Sequence, residues 1–263
     1  MKKEKDRILL FIPAYNCEKQ ITRVLSQLDE TVFRYVTEVI VVNNRSLDDT
    51  EKAVMDFKLF HWSMPIKLLR NKENYGLGGS HKVAFDYALK NGFDYVIVLH
   101  GDDQGDIHDI LPVLKRRIYR AYDCVLGGRF MLESRLEGYS AFRTFGNIIF
   151  NFLYAAGIRQ RVFDLGAGLN IYSTDMLKDR FYQRFPDDLT FNCCMLLALS
   201  FFHQTSRYFP ISWREEDQVS NVKMASQAMR TLGLLARYVD CPTSIRGEYR
   251  DKFIESYEAE EIG

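Results

Sequence analysis

Asp102 and Gln104 stand two residues apart, directly after the apolar run Tyr95-Val-Ile-Val-Leu99, in the segment His100-Gly-Asp-Asp-Gln104. A short apolar run without alternation is the pattern of a strand buried on both faces of a parallel sheet. In such sheets ligands bind just beyond the carboxyl ends of the strands. At the frayed end of a strand, a carboxylate and an amide two residues apart can turn toward one hard cation, and oxygen donors of this kind suit Mg or Mn. The bland reading of the same cluster is a polar loop that caps a strand. A second chemistry-bearing stretch, residues 71–80, is rich in glycine: Gly76, Gly78 and Gly79. It has no G-K-[ST] of a phosphate-binding Walker loop, and its spacing is wrong for a dinucleotide fingerprint. Glycines at a helix entrance let a ligand approach the backbone closely, and equally they make a tight turn.

These groups need elements to position them, and the hydrophobic pattern supplies them. Residues 8–12 read as a buried strand closed by Pro13 and the loop Ala14-Tyr15-Asn16-Cys17. A helix follows over about 18–28, with Ile21, Val24, Leu25 and Leu28 on one face. Residues 39–42 form a second strand, stopped by Asn43-Asn44-Arg45. Ser46 suits the N-cap of a helix that carries Asp48 and Asp49 in its first turn and runs to about Phe60. A third strand at 66–69, a helix from the glycine-rich loop through Leu89, and the strand at 95–99 complete three strand–helix units before position 100. That order implies a parallel sheet with right-handed crossovers, of Rossmann type. Beyond it, a helix is expected over about 109–122, with Pro112 in its first turn, and a strand at 124–126 ending in Gly127-Gly128-Arg129. A helix over 142–156 carries Phe145, Ile148, Ile149, Phe152 and Leu153 as a wide apolar side. A turn-rich loop at 164–170 leads into a strand near 169–172, followed by a buried helix at 195–202, a late strand at 207–213 and a last helix over about 222–239. The charged stretch 247–263 is expected to fray.

The 263 residues suffice for one large α/β domain, and 47% hydrophobic with 27% charged residues is the balance of a folded globular chain. Lys and Arg number 35 and Asp and Glu 35, so no basic field recommends nucleic acid as a partner. The five cysteines (Cys17, Cys124, Cys193, Cys194, Cys241) include no C-x-x-C pair and read as reduced thiols of a cytoplasmic protein. The basic start is followed by a short apolar run that breaks at Pro13, a first strand rather than a signal peptide. The longest apolar stretches, 148–158 and 195–202, fall short of the roughly 18–20 residues of a membrane span.

Several segments, in this order, carry a likeness to a known family: Ile12-Pro-Ala-Tyr-Asn16, Val41-Val-Asn-Asn-Arg-Ser-Leu-Asp-Asp-Thr50, Asn74-Tyr-Gly-Leu-Gly-Gly79 and His100-Gly-Asp-Asp-Gln104. Over about residues 8–239 they resemble the inverting glycosyltransferases of family 2, with the GT-A fold. The likeness is to that family's opening nucleotide loop, its "VVDDGSxDxT" segment, its "NxGxGxA" loop and its metal-binding "DxDxQ". Gly127-Gly-Arg129, the Arg143 to Asn147 segment and Asp164-Leu-Gly-Ala-Gly168 resemble the "GSR", "R…GN" and "D…SGF" segments of the dolichyl- or polyprenyl-phosphate sugar synthases. Trp213-Arg214 with Ser220 to Lys223 resembles their "R…G.SK" region, with Lys223 displaced. The fold so implied is α/β: a Rossmann-like, mostly parallel sheet flanked by helices in a single domain. That domain would cover residues 1–245, with a nucleotide-binding half to about 130, an acceptor half over 131–245 and a charged tail at 246–263.

The resemblance implies roles. Pro13, Ala14, Tyr15 and Asn16 would line the base and ribose of a nucleotide-diphosphate sugar, with Asn43, Asn74, Gly76 and Gly101 completing the nucleotide site. Asp102, with Gln104, would hold Mg or Mn against the diphosphate, and Arg129 would neutralise a phosphate. A divalent cation stabilises charge on a departing diphosphate, and attack from the opposite face inverts the anomeric carbon. Where the family carries acids, this chain has His100, Asn43, Asn44 and Cys17. His100 reads as a hydrogen-bond donor or a packed histidine. A phosphate acceptor is already an anion, whereas a sugar hydroxyl needs a general base. Asp188, of the Asp187-Asp188 pair, is a candidate base and equally an ordinary acidic helix start. Lys223, Arg230 and Arg237 recur every seven residues of the last helix, and a basic amphipathic helix can lie on an anionic membrane. The expected reaction is inverting sugar transfer to a polyprenyl phosphate at the cytoplasmic membrane face. Transfer to a saccharide hydroxyl and a catalytically weak nucleotide-sugar-binding subunit are the alternatives.

Overall fold

The structure, a computed structural model, describes residues 5–215 and 224–263. The expected helix start at Val222 and the residues Ser220 to Lys223 lie outside the described residues. Six of the strands in the main sheet run one way: β1 (Ile8–Ala14), β2 (Glu38–Asn43), β3 (Ile66–Asn71), β4 (Tyr95–Leu99), β5 (Cys124–Gly128) and β8 (Ser206–Pro210). Two run against them: β7 (Leu169–Ser173) and β10 (Ala259–Ile262). The order across this eight-stranded sheet is β10-β3-β2-β1-β4-β7-β5-β8. A second, two-stranded sheet pairs β6 (Arg135–Glu137) with β9 (Ser212–Arg214). Helices cover both faces: α1 (Glu18–Ser26), α2 (Glu30–Phe33), α3 (Thr50–Phe60), α4 (Gly76–Lys90), α5 (Leu111–Lys115), α6 (Ala141–Ile158), α7 (Thr174–Leu177), α8 (Phe191–Phe201) and α9 (Met224–Asp240). The apolar strands β1 and β4 are central and buried on both sides, and their residues divide between the two core layers. Adjacency of β1 and β4 sets the carboxyl ends of both strands side by side.

Five expectations are corrected. The helix expected over 109–122 is broken: α5 lies between two single 3₁₀ turns, because Arg117 takes a left-handed conformation (φ +54). Ser46 does not cap α3, which begins at Thr50. Ser46 Oγ accepts the Asn16 N–H at 3.0 Å and its own N–H donates to Asn43 Oδ1 at 3.0 Å, so it sews two loops together. The stretch expected to fray instead adds β10 antiparallel to β3, Ala259 against Asn71, and buries Tyr257. The late strand divides at Ile211, its halves joining different sheets. The arginines of the expected basic stripe on α9 are engaged by neighbours: Arg230 with Asp251 at 2.8 Å and with Asp188, Arg237 over the Tyr249 ring at 4.1 Å.

The wide apolar side of α6 is present, but it faces solvent. The helix packs inward through Asn151, Tyr154 and Ile158, while Phe142 and Phe152 are 77% and 71% exposed and Phe145, Ile148, Ile149 and Leu153 lie with them. Among the described residues no helix is long and apolar enough to cross a membrane.

Candidate active site

The loop after β4 meets the loop after β1 through one glycine. The Gly101 N–H donates to the Pro13 carbonyl at 3.1 Å, and a Cβ at position 101 would stand 2.8 Å from that oxygen. Between these loops and the start of α4 lies a cavity of about 340 Å³. Pro13, Ala14, Tyr15, Asn74, Gly76, Gly101 and Asp102 line it, as do Cys17, Asn44, Leu77, Ser80, His100 and Leu189. The structure therefore brings together seven residues singled out in the sequence.

An amide network shapes the wall formed by α4. Asn44 Oδ1 accepts the Tyr75 N–H at 2.8 Å and Asn71 Nδ2 at 2.9 Å, and Asn44 Nδ2 donates to Asn74 Oδ1 at 2.8 Å. Asn74 Oδ1 also accepts the Gly76 N–H at 3.0 Å, which fixes the left-handed Gly76 (φ +72) at the helix entrance. Asn44, Asn71 and Ser80 were not among the residues chosen from sequence. The signal available was a pair of asparagines where strands β2 and β3 end.

Asp102 is the one carboxylate among the described residues that line the cavity. Burial pushes its carboxyl up to about 6. Its Oδ1 accepts the Gln104 N–H at 3.2 Å, and Gln104 Nε2 faces Glu215 Oε1 at 3.4 Å. Glu215 is held in turn by Arg143 of α6 at 2.6 and 2.7 Å. Among the described residues no group of three or more His, Cys, Asp or Glu side chains could hold a metal ion. Of the two expected cation ligands Asp102 lines the cavity and Gln104 stands off the lining; a carboxylate and an amide are a donor set that Mg or Mn completes with substrate phosphates and water. Burial lowers His100 to about 4, so its ring is neutral at pH 7, and its Nε2 is buried without a partner. Burial likewise pushes the Cys17 thiol up to about 12, which makes it inert as a nucleophile.

Other sequence-chosen residues sit outside the cavity lining. Asn43 is buried, donating to Glu51 at 2.9 Å and accepting from Ser46, and Asn16 accepts the Leu47 N–H at 2.8 Å. Arg129 makes a two-pronged pair with Asp164, at 2.6 and 2.7 Å, and its guanidinium lies 4.8 Å over the Trp213 ring. The fork that would grip a phosphate is thus spent on a carboxylate, and the pair anchors the 164–168 loop, whose Gly168 carbonyl accepts the His100 N–H at 3.0 Å. Asp188 Oδ1 accepts the Thr190 N–H at 2.7 Å, and its Oδ2 pairs with Arg230. Its neighbour Asp187 accepts Lys82 Nζ at 2.6 Å and the Tyr257 hydroxyl at 2.8 Å. Lys82, fully buried, was missed in the sequence. It joins α4, the 185–188 loop and the C-terminal segment, donating also to the Phe185 carbonyl at 2.6 Å.

Comparison with known proteins follows the same residues. The model of Glycosyl transferase family 2 matches residues 10–181. The UDP-N-acetylglucosamine–dolichyl-phosphate N-acetylglucosaminyltransferase of Methanococcus voltae is 24% identical over 181 residues, covering 65% of this chain and 71% of that protein. Among solved structures, glucosyl-3-phosphoglycerate synthase from Mycobacterium tuberculosis with UDP superposes with a TM-score of 0.62 at 14% identity, over 98% of this chain and 88% of that one. The TarS 1–349 structure from S. aureus gives 0.58 at 17% identity over 88% of this chain, which spans 64% of that one. Those likenesses show the fold, which is GT-A. The family match runs from β1 past β7 and takes in Pro13, Asn44, Gly76 and Asp102, so the chain belongs to glycosyl transferase family 2, enzymes that move a sugar from a nucleotide-diphosphate donor to an acceptor.

Proposed function

We propose that the chain is an inverting glycosyltransferase that uses a nucleotide-diphosphate sugar with Mg or Mn and delivers the sugar to a polyprenyl phosphate. The observation that carries the acceptor assignment is the state of the acidic pair. Asp187 is tied to Lys82 and Tyr257, and Asp188 to Thr190 and Arg230. A hydroxyl acceptor needs a base that faces the donor site, and neither Asp187 nor Asp188 lines the cavity, whereas a phosphate attacks as the anion it already is. The solvent-facing apolar side of α6 supports a lipid carrier, because Arg143 in its first turn leads through Glu215 to Gln104 beside the cavity. Large side chains exposed together along one helix face mark an interaction surface. The Methanococcus voltae relative, named for a dolichyl-phosphate acceptor, agrees with this reading.

In this mechanism Pro13, Ala14 and Tyr15 hold the nucleoside, with Tyr15 presenting an exposed ring, and Asn44 takes the place at the wall first given to Asn43. Asp102, with Gln104, would hold the cation on the diphosphate. When bound, the cation stabilises negative charge on the departing nucleotide. The glucosyl-3-phosphoglycerate synthase from Mycobacterium tuberculosis has been solved in complex with Mn²⁺, UDP and glucosyl-3-phosphoglycerate, which agrees with a divalent ion in this fold. The same α6 surface supports peripheral attachment to a membrane.

A thermal-shift series with UDP, GDP, CDP and dTDP, each with and without Mn²⁺, tests the donor side, because a ligand of the native state raises apparent stability by mass action. One nucleotide is expected to give a Mn²⁺-dependent shift that Asp102→Ala removes. Incubation of the matching nucleotide sugars with polyprenyl phosphate or with free saccharides then tests the acceptor, and a product formed only on saccharide hydroxyls would overturn the lipid-phosphate assignment.

A further inference from the structure

Asp103 lies between the two side chains proposed to face the cation, yet it turns away from them. Its backbone is left-handed (φ +58) and its side chain is 2% exposed. The carboxylate accepts Arg23 Nε at 2.6 Å, Gln27 Nε2 at 3.0 Å and Arg214 Nη2. Its carbonyl accepts Arg214 Nε at 2.9 Å, and the Gln104 carbonyl accepts the Arg214 N–H at 2.9 Å. From the α1 side, Gln27 also takes the Ile107 N–H at 3.0 Å. A left-handed residue turns the chain sharply. Asp102 therefore lines the cavity while Asp103 is drawn between α1 and β9.

We propose that Asp103 is a positioning residue of the donor site. Held by Arg23 and Arg214, it fixes the turn that presents Asp102, and its negative charge offsets part of the positive potential that opposes a nucleotide-bound cation. The inference rests on the reading of Asp102 given above. Ion-assisted hydrogen bonds to one carboxylate from two separate elements are strong and directional, so the clamp restrains the loop from both sides. Replacing Asp103 by Asn keeps the shape and removes the one negative charge that Arg23 and Arg214 share, next in the chain to Asp102. The added positive potential opposes a divalent cation and favours an anionic diphosphate. Metal-free and metal-dependent nucleotide binding then move in opposite directions, which a general loss of structure does not produce.

The test is calorimetric titration of wild type, Asp103→Asn, Arg23→Gln and Asp102→Ala with UDP, GDP, CDP and dTDP, with and without Mn²⁺, while bound Mn²⁺ is read by electron paramagnetic resonance. Asp103→Asn is expected to keep or tighten metal-free binding and to lose about tenfold of the Mn²⁺ enhancement, a change in the coupling between two ligands. Arg23→Gln, which removes a positive charge while Arg214 and Gln27 still hold the carboxylate, is expected to raise the Mn²⁺ enhancement by a smaller factor. A folded Asp103→Asn with wild-type enhancement overturns the inference. If Asp103→Asn does not fold, unchanged enhancement in Arg23→Gln overturns it. Should Asp102→Ala also keep the enhancement, the donor-site reading itself fails. Loss in Asp102→Ala beside retention in Asp103→Asn defeats only the role of Asp103.

Discussion

Replacing Phe142, Phe145 and Phe152 by serine tests the lipid-facing reading at its most exposed point. These rings are 77%, 65% and 71% exposed, so the folded protein gains little from them. They recur at i, i+3 and i+10 along α6, a stripe of roughly 15 Å at 1.5 Å per residue. Full burial of a phenylalanine contributes about 1.5–3 kcal/mol, and rings about two-thirds to three-quarters exposed have about 1–2 kcal/mol each still to gain. The triple variant should therefore lose about 3–6 kcal/mol of interfacial affinity, at least about a hundredfold in partitioning at about 1.4 kcal/mol per tenfold. Cosedimentation with anionic phospholipid vesicles reads this directly, with melting temperature as the control. Transfer to a short, water-soluble prenyl phosphate should be retained, because the substitutions leave the cavity lining untouched. Wild-type partitioning by a well-folded triple variant would refute the membrane-facing role of α6.

Other outcomes follow from the network around the cavity. Burial lowers the Lys82 ammonium from 10.5 to about 8 despite Asp187, so between those values the unfolded chain binds more protons than the folded one. Wild type should accordingly gain stability relative to Lys82→Met as pH rises from about 8 toward 10, and parallel melting curves for the two across that range would contradict it. Gly76→Ala forces a side chain into a left-handed position facing the Asp187 carbonyl. The conformation alone costs about 1–2 kcal/mol. Urea unfolding should show that loss together with a weakened nucleotide-induced thermal shift, and wild-type behaviour in both would count against the assigned wall.

The sheet was legible because apolar runs of strand length need no partner to be recognised. Ile8-Leu-Leu-Phe-Ile12 and Tyr95-Val-Ile-Val-Leu99 could bury both faces only in the middle of a sheet covered on both sides, and they lie there side by side, although β4 pairs on its other edge with the antiparallel β7. The broken helix at Arg117 was not legible, since a single left-handed residue leaves no mark on hydrophobic spacing. Nor was β10, whose Glu260 and Glu261 read as a solvated tail until β3 offered an open edge and Arg70 a counter-charge. Of the site, Pro13, Tyr15, Asn74, Gly76 and Asp102 were found because they end strands or open helices. Lys82 and Tyr257, which meet at Asp187, are 175 residues apart and could not be paired by spacing.

By itself the sequence determined the alternating strand–helix order, the clustering of polar loops at the ends of β1, β2 and β4, and the presence of an Asp-x-Gln directly after β4. These follow from local patterns, because burial and turn chemistry act on neighbouring residues. Only the tertiary structure decided that Asn44 rather than Asn43 walls the cavity, that Arg129 spends its fork on Asp164, and that α6 turns its phenylalanines outward. Those outcomes depend on which distant group supplies the partner for each charge and amide, and a partner is a property of the folded arrangement, set when segments far apart in the chain compete to satisfy the same buried polar atoms.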